Sequence, residues 1–157
     1  MATVALTKDN FSSTIDSNDV VLIDFWASWC GPCQRFSPIY EDASGRHSDV
    51  TFAKVDTEDQ QELSAGLEIT SIPTIMAFRA GYLVFRQSGL LQGRQLDELI
   101  EKVKEIDVED LKKQAAAPKP GLTPGFPYPA ETRSSGPAAG GSVLLSARAS
   151  SYLMRRR

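Results

Sequence analysis

Apolar and polar positions change period several times along the chain, and each change marks an element. Val4-Ala5-Leu6 predicts a short strand. Thr7 is positioned to cap a helix whose inner face carries Phe11, Thr14 and Ile15. Val20 to Trp26 is apolar apart from Asp24, the pattern of a central strand covered on both faces. From Cys33 to Ser44 the spacing becomes helical, with Phe36, Ile39, Tyr40 and Ala43 in register and Gly45 as a stop signal. Phe52 to Val55 predicts another strand, and Thr57 with Gln60 has the form of a capping box for a helix over 58–67. Thr74–Arg79 and Leu83–Gln87 alternate about Ala80-Gly81, which predicts a hairpin. Leu96, Leu99, Ile100 and Val103 form the stripe of a last long helix, and Asp107 can cap a short one running to Gln114. Helices interleaved with strands imply an α/β fold, with a mixed central sheet flanked by helices on both faces.

Charge and composition divide the chain in two. Residues 1–114 hold 11 Lys/Arg against 19 Asp/Glu, whereas 115–157 hold 6 against 1. The second stretch also takes 6 of the 9 prolines and 5 of the 11 glycines. At that density of Pro, Gly, Ala and Ser, too little apolar surface can be buried to offset chain entropy. The expectation is a domain over 1–114 and a disordered C-terminal tail over 115–157. A net charge of −3 argues against a nucleic-acid binder. No apolar run approaches the eighteen or so residues of a membrane span. Lys8 and Asp9 interrupt the place where a signal peptide has its apolar core, so a cytoplasmic chain is expected. The three closing arginines are a weak signal for anionic partners.

The two cysteines, Cys30 and Cys33 in Cys-Gly-Pro-Cys, carry the chemistry. As a structural staple they would do little. Closing a four-residue loop removes on the order of 2 kcal/mol of unfolded-chain entropy, against about 4.7 kcal/mol for a hundred-residue loop. As a closed zinc site they would lack ligands, since the chain adds only one distant histidine, His47, read as a surface residue. A redox pair fits better. Residues i and i+3 at a helix start share a face at about 5–6 Å, within the range a disulfide tolerates. Cys30 precedes the first turn, where unpaired N–H groups and the helix dipole favour a thiolate. Pro32 suits a first turn because its missing N–H would have had no helical partner. Cys33, inside the helix, is expected to be the more buried.

The segment Asp24-Phe25-Trp26-Ala27-Ser28-Trp29-Cys30-Gly31-Pro32-Cys33 resembles the active-site signature of the thioredoxin family. Pro38, Lys54, Asp56, Ile72-Pro73-Thr74, Gly81, Gly89 and Gly93 follow in matching order, and the resemblance covers about residues 1–106. It implies the thioredoxin fold and a protein-disulfide reductase that maintains cell redox balance. Cys30 would attack and Cys33 resolve. Asp24 would be the buried carboxylate that takes the Cys33 proton, and Lys54 the lysine that interacts with it. Pro73 would be a cis-proline beside the pair. Ile72 would offer backbone hydrogen bonds to a substrate chain, beside an exposed Trp29 and a groove completed by Gly31, Pro32 and Gly89. Implied partners are disulfide-containing client proteins and an NADPH-dependent thioredoxin reductase. The flavin and nicotinamide belong to that reductase, and the chain itself, a monomer, would need no cofactor and no metal. A thioredoxin-like binding module or chaperone without obligatory redox turnover is the competing reading. Gln34 departs from the family, where many members carry a basic residue.

Overall fold

In a computed structural model of the chain, residues 3–116 are described. The elements are β1 (Val4–Ala5), α1 (Phe11–Ser17), β2 (Val20–Trp26), α2 (Gly31–Arg46), β3 (Thr51–Asp56), α3 (Gln61–Gly66), β4 (Thr74–Arg79), β5 (Tyr82–Ser88), α4 (Gly93–Lys104) and α5 (Val108–Ala116). The strands form one mixed sheet in the order β1-β3-β2-β4-β5. β1, β3 and β2 run parallel, and β4 and β5 pair antiparallel beyond β2. The mixed sheet between two helical layers bears out the expected fold class. The tail read over 115–157 lies, from residue 117 onward, outside the described residues.

Alternation along the central strand β2 sends its side chains to two cores. Val20 and Leu22 join Phe36 and Tyr40 of α2 and Leu96 and Ile100 of α4 on one face. Val21, Ile23 and Phe25 join Phe11 and Ile15 of α1 and Leu63 of α3 on the other. A period of two therefore places Asp24 on the α2 face, one residue pair beyond Leu22. The whole of β2 up to Phe25 is buried, so no polar face breaks the run in sequence.

Four boundaries differ from the sequence pattern. Asn10, not Thr7, stands at the start of α1, and its side-chain oxygen accepts from the Thr7 N–H at 2.7 Å. α2 runs through Gly45 to Arg46 and ends where the His47 N–H reaches the Ala43 carbonyl. Glycine stops a helix by taking a left-handed conformation, and Gly45 stays helical instead. α3 begins at Gln61, three residues later than the capping-box pattern suggests. The Thr57 hydroxyl is occupied by the Trp26 carbonyl at 3.0 Å, while Asp56 accepts from the Glu58 N–H in a local turn. Finally, α5 continues to Ala116, with Asp107 accepting from the Glu109 N–H as expected. The hairpin turns through Ala80 (φ 48°) and Gly81 (φ 85°), both left-handed, as a two-residue connection between twisted strands requires.

Candidate active site

The site lies where β2 hands over to α2. Cys30 occupies the N-cap position with extended backbone, and its Sγ accepts from the Cys33 N–H at 3.1 Å. Gly31 and Pro32 form the exposed first turn. The sulfurs of Cys30 and Cys33 are bonded, with the two Cα atoms 5.2 Å apart. The expected difference in burial is slight: the two residues are 4% and 3% exposed. Both pack with Ala27, against Trp26 and Ile72. The Cys33 N–H thus points at the Cys30 sulfur from the helix N-terminus, which favours a thiolate there once the bond is opened.

Around this pair the loops bring in the other residues named from sequence. Trp29 is 68% exposed, and its Nε1 donates to Glu58 Oε1 at 3.1 Å. The Ile72–Pro73 peptide is cis, and the Pro73 carbonyl accepts from the Gly89 N–H at 2.8 Å. Gly89 has φ of 102°, a conformation side chains rarely adopt, with no atom where a Cβ would stand. Gln34 turns back across the start of the helix and donates to the Ser28 carbonyl at 2.8 Å.

Asp24 is 1% exposed, and neither carboxyl oxygen meets a protein hydrogen-bond donor among the described residues. Burial pushes its carboxyl up from 3.8 to about 7, while the charge of Lys54 pulls the other way. A cavity of about 310 Å³ adjoins it, bounded by Asp24, Cys33, Gln34, Ser37 and Lys54 among others. Lys54 pairs with Asp24 in the β2–β3 register. Its amine turns aside, however, donating to Ser37 Oγ at 2.9 Å and standing 3.8 Å from Glu41 and 5.7 Å from the Trp26 ring centroid. Ser37 and Glu41 were not singled out from sequence. The signal was available, since positions 33, 37 and 41 follow the i, i+4 spacing that stacks side chains on one helix face.

His47 stands at the far end of α2, roughly 20 Å along the axis from Cys33 at 1.5 Å per residue. It is no free surface residue: its side chain is 13% exposed and Nε2 lies 2.9 Å from Asp97 of α4. Arg46 reaches the same carboxylate through two hydrogen bonds, tying α2 to α4 away from the cysteines.

A reversible sulfur pair at a helix mouth, above a buried carboxyl and next to exposed backbone, defines a dithiol–disulfide oxidoreductase. Comparison with known proteins sharpens that class. A sequence model of the thioredoxin family matches residues 2–105. A Streptomyces coelicolor relative is 46% identical over 115 residues, covering 73% of this chain and 86% of the relative. The thioredoxin of Alicyclobacillus acidocaldarius is 38% identical over 103 residues, covering 65% of this chain and 98% of its own. Among solved structures, a Plasmodium falciparum thioredoxin superposes with a TM-score of 0.60 at 37% identity, covering 64% of this chain and 98% of its own. The chain belongs to the thioredoxin family.

Proposed function

We propose that the chain reduces disulfides of client proteins as a monomer, with roles divided as follows. The reduced Cys30 thiolate attacks one sulfur of a client disulfide, and the other client sulfur leaves as a thiolate. Cys33 then gives its proton to Asp24 and attacks Cys30 Sγ in the mixed disulfide. The second client sulfur leaves, the client has gained two electrons, and Cys30 and Cys33 are joined. Asp24 suits the acceptor role because burial holds its carboxyl near 7, where it exchanges a proton at neutral pH. Lys54 moderates that carboxyl through its charge. A client chain lies against Trp29, Gly31, Pro32 and Gly89, and pairs with the Ile72 backbone beside Pro73 as an added strand.

The observation that carries this reading is the bonded pair set at the N-terminus of α2 with an unpartnered carboxyl behind it. The electron donor that reopens the bond is, by family, an NADPH-dependent thioredoxin reductase, and the compartment is the cytoplasm. Among the described residues no helix is long and apolar enough to cross a membrane. Insulin reduction with dithiothreitol tests the proposal. Cys30→Ser abolishes turnover, whereas Cys33→Ser accumulates mixed disulfides whose client halves mass spectrometry identifies. Full activity in the Cys30 variant would overturn the attacking role given to Cys30, whereas client binding without any reduction by the parent chain would favour the chaperone-like alternative.

A further inference from the structure

Lys54 faces Asp24 across two paired strands, yet its hydrogen bond goes to the helix above. Nζ donates to Ser37 Oγ at 2.9 Å, and Ser37 Oγ donates to Glu41 Oε1 at 3.3 Å. The direction of this chain is set by its chemistry: an ammonium has only donors, a carboxylate only acceptors, and the hydroxyl between them does both. Beneath it lies the cavity onto which both Asp24 and Lys54 open, so the amine has room to swing inward. We propose that Ser37 and Glu41 are positioning residues that hold the Lys54 amine at the cavity mouth, short of Asp24, and thereby set how strongly that cation acts on the buried carboxyl.

Opposite charges attract more strongly as they approach in a low-dielectric site, while an exposed carboxylate attracts weakly through water. Glu41 is exposed and Asp24 is not. Ser37→Ala removes the acceptor that holds the amine outward, and Glu41→Gln removes the charge behind it. In both variants Lys54 turns to Asp24, the ionised carboxyl is stabilised, and its titration moves down. The groups facing Asp24 keep this interpretation simple. From α2 they are Cys33, which does not titrate while bonded, and Tyr40, whose ionisation burial pushes well above its usual range. From β3 there is Lys54, and the β4 partner is the apolar Ile75.

The test is the carboxyl ¹³C titration of Asp24 in the full chain with Cys30 and Cys33 bonded. Ser37→Ala and Glu41→Gln each lower the midpoint by half a pH unit or more, about threefold in proton affinity. Ser37→Thr, which keeps a hydroxyl, leaves it near the parent value. In a Lys54→Met background, Ser37→Ala produces no further shift. An unchanged or raised midpoint, or an equal fall without Lys54, overturns the proposal. Its importance for turnover rests on Asp24 taking the Cys33 proton, but the two ideas fail separately. A normal resolving rate in Asp24→Asn would remove the proton role and leave the titration result standing.

Discussion

Asp24 is the residue at which sequence and structure meet most directly. A single carboxylate within an apolar strand is costly to ionise, which sets Asp24 apart in the sequence, while its role as a proton acceptor is implied there by the family resemblance. The raised carboxyl has a consequence for stability whose sign is fixed. Its folded-state value, about 7, exceeds the unfolded value near 3.8, so the folded chain keeps a proton that the unfolded chain releases. Asp24 therefore favours folding most at acid pH, and that contribution is lost as pH rises from about 4 to about 7. Between pH 5 and pH 8 the loss comes to roughly 2–3 kcal/mol. Urea unfolding of the disulfide form at the two pH values measures it, and Asp24→Asn flattens that part of the profile. A variant profile as steep as the parent's would place the titrating group elsewhere. The Lys54 tether was harder to see in sequence. A strand residue and a helix residue seventeen positions apart have no shared period, and only the packing of α2 over β3 joins them.

At the scale of elements, legibility followed locality. The α4 stripe and the hairpin are written in short-range patterns, and both formed where expected. The start of α3 departs from its local pattern because a tertiary contact takes the capping group: the Trp26 carbonyl accepts from the Thr57 hydroxyl. Tyr40 shows the same limit inside α2. Its helical spacing identified it as core, and its ring packs against Phe36 and Phe52. Nothing local announced that its hydroxyl would lie at the seam of β2 and β3, 2.9 Å from the Leu22 carbonyl and 2.8 Å from that of Ala53. Tyr40→Phe keeps the ring and removes these contacts. It lowers stability by about 1–3 kcal/mol, with the active-site disulfide still reducible. A denaturation midpoint equal to the parent's would show that the strand ladder already satisfies both carbonyls.

For the whole molecule the open issue is where the folded unit stops. Composition places the boundary at residue 114, and the family match ends at 105. α5 lies beyond that match, and it buries Leu111 in the same core as Leu96, Ile100 and Tyr40. The fold therefore extends past the part the family model covers, because α5, nine residues long, adds Leu111 to the core between the sheet and the α2–α4 layer. Two truncations separate the contributions. Ending the chain after residue 117 keeps α5 and discards the basic, proline-rich stretch; melting temperature and insulin reduction both stay at parent values. Ending it after Ile106 exposes the Leu111 site, at a cost of about 1.5–3 kcal/mol, a fall in melting temperature on the order of 10 °C. Turnover well below that temperature persists, since the cysteines, Asp24 and the Pro73 loop are all retained. A clear loss of stability or activity from the first truncation would mean that residues 118–157 pack on the domain, and the boundary would then belong beyond them.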